Sequence, residues 1–198
     1  MNILNPPPKQ ITVNGTIYSI DSDYRTWLKI SDKLNRIDCV SEDEESACEN
    51  IIVIAEIISL AFGKLINEPY TDTFNAILEF YKGYPEQNNK RCSGAVSSKR
   101  LFDFNYDINY IIIAIRNQSG IDLSHRRNEH KHFHWWDFLL EFKTLEERHH
   151  ICKIISYRGY EGEDKELIRL KNLYALPEQL TKSQQRIIEE LDDIFYNS

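Results

Sequence analysis

The stretch from Phe102 to Arg158 decides the fold of this chain. It reads FDFNYDINYIIIAI at 102–115, GIDLSH at 120–125, FHWWDFLLEFKTL at 133–145 and KIISYR at 153–158. It is the part of the sequence that is densest in aromatic and aliphatic side chains. Apolar residues that recur at helical spacing are typical of helices packed in a core, so the stretch predicts packing rather than chemistry.

Two adjacent tryptophans stand out in this stretch. Successive residues of a helix are about 100° apart around its axis, so Trp135 and Trp136 cannot face the same side. Trp135 shares a stripe with Phe138 and Phe142 and is expected in the core. For Trp136 two interpretations stay open, a second buried position or an anchor for a partner, because large aromatics are enriched as binding anchors. The residues expected to form the structural core are Trp27, Tyr110, Trp135, Phe138, Leu139, Phe142, Ile151 and Ile155.

The whole chain predicts a mainly α (α+β) fold, with an N-terminal β-hairpin followed by a bundle of about seven or eight helices. The hairpin is expected at 11–20, because Asn14-Gly15 is a strong two-residue turn signal between β-branched runs. The predicted organisation is a flexible N-terminus at 1–10, a single domain at 11–176 with a mobile loop near 84–98, and a C-terminal amphipathic helix at 177–198.

Three helix starts carry capping signals. Ser41 with Glu44 and Thr144 with Glu147 have the spacing of a capping box, and Asp107 precedes a third apolar run. The box at Thr144 predicts the start of the helix that holds Ile151.

The C-terminal helix is expected to begin near Thr181. Its apolar stripe needs cover, either from the protein's own bundle, which is the commoner outcome, or from a partner or a second copy. The stripe consists of Ile187, Ile188, Leu191, Ile194 and Phe195.

Charge and cysteine usage limit the class of protein. The chain has 198 residues, a net charge of −7 and a pI of about 5.4, so nucleic acid and anionic membrane are poor default partners. The four cysteines form no C-x-x-C pair, and the N-terminus has neither a basic region nor an apolar run. The longest apolar stretch, 51–62, has a length that suits a buried helix rather than a bilayer span. We therefore expect a reduced, soluble, intracellular protein.

No catalytic signature is present. A P-loop, a nucleophile elbow, a dinucleotide fingerprint and H-E-x-x-H are all missing from the sequence. His130, His132 and His134 are weak candidates for a metal site, because alternate spacing does not place three rings on one face of a helix. We expect no cofactor. Lys153 and Arg158 favour a simple role as positive charge near a helix C-terminus over a contact patch.

The order and spacing of these motifs resemble the "Gp-fifteen" family of long-tailed phages that infect Gram-positive bacteria. Similarity spans most of 11–176 and is weak at 84–98 and 126–133. The F-x-Y-D-x-x-Y motif is formed here by Phe104, Tyr106, Asp107 and Tyr110. The other motifs are G-I-D-L at 120–123, H-W-W-x-F at 134–138, K-I-x-x-Y-R at 153–158 and D-Y-R-T-W at 23–27.

The resemblance implies a non-enzymatic tail assembly chaperone, because members are usually encoded between the major tail protein and the tape measure protein. The implied partner is the tape measure protein, with the tail tube protein as a second candidate, and oligomers are not excluded. Such a protein is expected in the host cytoplasm and absent from the mature virion. The alternatives are a structural virion component of the tail or neck and a metal-dependent enzyme.

Overall fold

A computed structural model describes residues 6–37, 44–85, 100–124 and 131–177 of the chain. Within these ranges a two-stranded hairpin is followed by seven helices, which confirms the predicted fold class. The elements are β1 (Gln10–Val13), β2 (Thr16–Ser19), α1 (Tyr24–Leu34), α2 (Glu44–Phe62), α3 (Tyr70–Tyr81), α4 (Ile108–Ser119), α5 (Trp135–Lys143), α6 (His150–Arg158) and α7 (Lys165–Leu173). The predicted C-terminal helix, the loop at 86–98 and residues 1–5 lie outside the described residues.

The hairpin forms where the Asn-Gly dipeptide predicts it. β1 and β2 are antiparallel, and both turn residues have positive φ, 48° at Asn14 and 83° at Gly15. Paired positive φ angles match the twist of the two strands, which is why Asn-Gly is favoured at this place. The Asn14 amide also donates hydrogen bonds to the carboxylates of Glu68 and Asp72, at 3.1 and 3.0 Å. The hairpin is thereby attached to the start of α3.

Aromatic rings from α1, α3 and α5 form the centre of the core. Trp27 stacks on Phe80 with 4.7 Å between ring centroids and lies 6.2 Å from Trp135. Both tryptophans are fully buried. Their indole N–H groups donate to the backbone oxygens of Asp21 (2.6 Å) and Tyr81 (2.9 Å). A buried indole is stable only when its N–H finds such a partner, so these bonds fix the rotation of both rings.

The starts of α1 and α5 are joined by backbone hydrogen bonds. The Tyr24 N–H donates to the Phe133 oxygen (2.9 Å), and the Trp135 N–H donates to the Ser22 oxygen (2.8 Å). The Tyr24 hydroxyl also donates to the Leu123 oxygen at 2.8 Å. Three segments that resemble family motifs, 23–27, 120–123 and 134–138, therefore meet at one place.

The expected core is buried except at three positions. Trp27, Trp135, Phe138 and Ile151 are fully buried and Leu139 nearly so, whereas Phe142 and Ile155 are half-buried. The prediction for Tyr110 is wrong, because this side chain is 40% exposed. The core-facing side of α4 is formed by Ile111, Ala114 and Ile115 instead. Tyr110 lies about 100° around the helix from Ile111, which places it at the surface.

The capping box at Thr144 and Glu147 is also a wrong prediction. Thr144 ends α5, where its hydroxyl donates to the Leu140 oxygen at 2.9 Å, and α6 begins at His150. A threonine side chain can bond to nearby backbone at the start or at the end of a helix. The Thr144–Glu147 spacing therefore does not distinguish the start of α6 from the end of α5. Ser41 lies outside the described residues, and α2 begins at Glu44 and ends before Gly63, whose φ is 71°.

Among the helices of the described ranges, none combines the length and the apolar character needed to cross a membrane.

Candidate functional site

Three neighbouring clefts run beside α5, and Lys143 lines all of them. The first, of about 840 Å³, lies between the hairpin, α3 and α5. The second, of about 420 Å³, lies between the ends of α1 and α3, the segment 100–104 and α5. The third, of about 560 Å³, lies between 100–102, the end of α5 and α6. We call the three clefts together the α5 groove.

The first cleft has an aromatic floor. The Trp136 ring packs 5.5 Å from Phe80 and 5.0 Å from Tyr84, centroid to centroid. Trp136 is only 6% exposed, and its indole N–H donates to the Phe80 backbone oxygen at 2.8 Å. Of the two interpretations of Trp136, the structure therefore agrees with the buried position. Its ring stabilises the floor of the cleft and does not project as an exposed anchor.

Gly83 shapes the boundary between α3 and α5. Its φ is 80°, in the left-handed region that favours glycine. A Cβ at this position would lie 2.7 Å from the Leu139 side chain. Glycine adopts this turn without strain and leaves the tip of the Leu139 side chain in place. Tyr84 and Pro85, which line the first cleft, follow directly from this turn.

Phenylalanines line the second and third clefts. The Phe102 ring lies 5.1 Å from Phe104 and 5.1 Å from Phe142, centroid to centroid. Phe102 is 36% exposed, and Phe142 is half-buried. Both rings therefore present apolar surface to the groove, and an apolar ligand side chain would remove that surface from water.

Charged side chains lie along the same edge. Lys82 is paired with Glu79 at 2.5 Å, and both side chains are largely exposed. Arg100 is paired with the buried carboxylate of Asp103, which also accepts hydrogen bonds from the Asn105 and Tyr106 N–H groups, each at 2.8 Å. The groove thus combines an apolar floor with a polar rim, a usual arrangement for a binding surface.

A buried ion pair supports the third cleft from behind. The Arg158 guanidinium donates to both Asp107 carboxylate oxygens, at 2.6 and 2.9 Å, and Asp107 is completely buried. The guanidinium also donates to the backbone oxygens of Leu101 (3.1 Å) and Tyr174 (2.6 Å). Arg158 lies in the last turn of α6, as the prediction of a basic residue near a helix C-terminus has it. It is buried, so it does not form a contact patch, and it fixes the backbone beside Phe102. Asp107 precedes α4 as predicted, but its carboxylate makes no capping bond.

The histidines are engaged in structural contacts. His134 Nδ1 accepts the N–H of Trp136 at 3.0 Å, and the opposite ring nitrogen donates to the Pro8 oxygen at 2.9 Å. Both ring nitrogens are occupied, and burial lowers the pKa of this imidazole. His132 lies 3.0 Å from the Ser22 hydroxyl, and His130 is outside the described residues. In the described part of the chain, no group of three metal-ligating side chains is assembled.

The second predicted partner-binding element besides Trp136, the C-terminal stripe, lies outside the described residues. Sequence reasoning also did not single out Phe80, Tyr84, Phe102 and Asp103. One signal for the first two was present, because aromatic residues at 80 and 81 end the helical pattern and a third, at 84, directly precedes Pro85. The Asp103 cluster had no such signal, since its partners come from distant segments.

The comparison with known families gives the class of protein. A model of the family described as "Bacteriophage Gp15 protein" matches residues 6–176. The match covers most of the chain, so this protein belongs to the bacteriophage Gp15 family. No curated protein and no solved structure matches it.

Proposed function

We propose that this protein is a non-enzymatic tail assembly chaperone that binds the tape measure protein during phage tail morphogenesis. The proposal rests on membership of the Gp15 family and on the gene order that the resemblance implies. A tape measure protein is long and helical, and it exposes apolar stripes before tail tube subunits polymerise around it. A chaperone must cover such stripes reversibly.

The observation that carries the proposal is the α5 groove. Its floor is formed by aromatic and aliphatic side chains from separate elements, and its length follows α5 from Trp136 to Lys143. An amphipathic helix lays its apolar face into a groove of this kind and places side chains one turn apart into successive clefts. Three clefts side by side suit this spacing better than one deep pocket for a small molecule.

Composition supports the same function. The net charge of −7 keeps the free protein soluble and favours association with basic segments of a partner. The C-terminal stripe from Ile187 to Phe195 is a second candidate contact, because it can pack on an apolar helix of the partner. The proposed location is the host cytoplasm during assembly, with no copy retained in the mature virion.

Co-expression tests the proposal. Soluble tape measure protein from the same phage should increase when this chain is present, and the two proteins should co-purify. Removal of residues 181–198 should weaken the complex while the rest of the chain stays folded. If neither form changes the solubility of the tape measure protein or co-purifies with it, the chaperone function is wrong.

Mass spectrometry of purified phage particles separates the proposal from its main alternative, a structural component of the tail or neck. A chaperone is released before the particle is complete, so its peptides should be missing while tape measure peptides are present. Stoichiometric recovery of this chain from particles would favour the structural alternative.

A further inference from the structure

The side of α2 that faces away from the core carries apolar and small side chains. The five residues on it, none of which is charged, are Cys48, Ile51, Ile52, Ala55 and Ser59. Ile51 and Ile52 are 54% and 55% exposed. Cys48 and Ser59 are also exposed, and Ala55 is half-buried. We call these five side chains the α2 face. Contiguous apolar surface of this kind is a typical mark of an interaction site.

The fold does not account for the α2 face, because the other side of the same helix already supplies the core. Val53, Ile57 and Ala61 are buried there. A helix that packs on a core needs one apolar side, and its outer side is usually polar. The α2 face also shares no residue with the lining of the α5 groove. It is thus a second apolar surface, separate from the proposed tape measure site.

The spacing on the α2 face is that of a seam between two helices. Its residues include Cys48, Ile52, Ala55 and Ser59, which follow each other at intervals of four, three and four. The small side chains of Cys48 and Ala55 form the middle of the face. Ile51 and Ile52 lie on either side of it, since successive residues are about 100° apart around the axis. Small residues in the middle let a second helix approach closely, and the isoleucines then pack against its flanks.

The helix that fits this face is α2 of a second copy, in antiparallel orientation. A two-fold axis near the middle of the face places Cys48 of one copy beside Ser59 of the other and brings the two Ile52 side chains together. The exposed Glu44 at the start of α2 is then level with the exposed Lys64 just past the end of the second copy's α2. A parallel arrangement would instead bring two Glu44 carboxylates together and align the two helix dipoles, both of which are unfavourable.

We propose that the α2 face is a dimer interface, at which two copies of this chain pack their α2 helices antiparallel. A contact of one helix from each copy is at the small end of the range for specific interfaces, below about 1,200 Å² in total, so the dimer forms reversibly. The lining of the α5 groove lies outside this contact in both copies. The dimer is therefore independent of the proposed function: one copy suffices to bind the tape measure protein.

Sedimentation equilibrium of the full chain tests the interface without any partner. The mass of the wild type should rise with concentration from that of one chain, 23.4 kDa, toward twice that value. Ile52→Glu should weaken the dimer by about tenfold or more, because it buries two carboxylates beside each other. Ile17→Glu is the matched control, since Ile17 is 65% exposed on the hairpin, and it should leave the dimer unchanged. Circular dichroism checks that both variants keep their helices.

Disulfide formation tests the antiparallel orientation. In the Ser59→Cys variant, the thiols at positions 48 and 59 of one chain lie about 16 Å apart along the same helix, which is too far for a disulfide. A disulfide between positions 48 and 59 therefore joins two copies, and peptide mass spectrometry after mild oxidation identifies it. It should form in Ser59→Cys and be lost when Ile52→Glu is added.

Three results would overturn the proposal. The first is a wild-type mass that stays at one chain up to millimolar concentration. The second is a dimer that is equally stable in the wild type and in folded Ile52→Glu. The third is a dimer of Ser59→Cys that forms no disulfide between positions 48 and 59, or that links the two Cys48 thiols instead. Because Ile52→Glu should still co-purify with the tape measure protein, failure of the dimer and failure of the chaperone function are distinguishable.

Discussion

Asp107 and Arg158 are 51 residues apart in the sequence and form a two-bond ion pair that is closed off from solvent. The pair joins the F-x-Y-D-x-x-Y segment before α4 to the K-I-x-x-Y-R segment of α6. Because the same guanidinium also binds the backbone oxygens of Leu101 and Tyr174, one side chain holds three parts of the chain together. It stabilises both the third cleft of the α5 groove and the end of α7.

Arg158→Met should lower the free energy of unfolding by about 3–5 kcal/mol, because it leaves the Asp107 carboxylate buried without its partner. Urea denaturation measures the change. Arg169→Met is the matched control, since Arg169 pairs with Glu166 at the surface, where both side chains are 64% exposed. The control should change stability little. Equal effects of the two substitutions would contradict the structural role of Arg158.

The two tryptophans of α5 should both prove structural. Trp135→Ala should cost about 3–5 kcal/mol of stability, because the ring is fully buried. Trp136→Ala should also destabilise the protein, whereas Trp136→Phe should cost about 1–2 kcal/mol by leaving the Phe80 oxygen without its donor. Thermal and urea unfolding provide the values. A Trp136→Ala protein as stable as the wild type would mean that the ring is not part of the floor.

The turn of the hairpin should depend on glycine. Gly15→Ala should cost about 1–2 kcal/mol, because φ is 83° at this residue and a Cβ disfavours the left-handed region. Gly159→Ala is the control, since its φ is −80° and an added Cβ would meet no atom closer than 3.5 Å. Stability should change little there. The prediction fails if the two alanine variants unfold at the same urea concentration.

His134 should make stability depend on pH. Burial is the main cause that lowers the pKa of its imidazole in the folded protein, while Asp137 and the Pro8 oxygen oppose the shift and His132 and Lys9 add to it. The unfolded chain, with an ordinary pKa of about 6.5, then binds a proton more readily than the folded chain. The contribution of His134 is therefore fully present above about pH 6.5 and is lost as the pH falls through the lowered folded value.

His134→Asn keeps a capping side chain at the start of α5 but does not titrate. Between pH 8 and pH 5 its free energy of unfolding should fall less than that of the wild type. His132→Asn is the control, because the surface-exposed His132 caps no helix. The idea would be abandoned if His134→Asn and the wild type lost stability in parallel over this range.

Local signals in the sequence predicted most of the fold. Asn14-Gly15 predicted the hairpin, and the Trp135–Phe142 spacing predicted the buried side of α5. These features depend on φ angles and helical periodicity, which a few neighbouring residues determine. Tyr110 was misplaced for a related reason: α4 is apolar on most of its circumference, so periodicity alone does not identify the side that faces the core.

Long-range pairing could not be predicted in the same way. Nothing near Arg158 in the sequence indicates that its charge is matched by Asp107, since the match exists only after α4 and α6 pack. The α5 groove is also a product of packing, because its floor combines Ile11, Phe80, Phe102 and Trp136 from four distant segments. The helical spacing correctly predicted that Trp135 is buried. For Trp136 the spacing left two interpretations open, because its burial depends on a hydrogen bond to the backbone of α3, which is distant in the sequence.

The most direct test of the central claim is the amount of tape measure protein that co-purifies with variants of the groove. Ala76→Glu places a carboxylate in the first cleft and should reduce the recovered tape measure protein at least tenfold. Ala55→Glu is the matched control, because Ala55 is likewise half-buried on a helix but does not line the three clefts. It should bind like the wild type. Equal recovery with Ala76→Glu and Ala55→Glu, or no recovery with the wild type, would contradict the claim that this groove binds the tape measure protein.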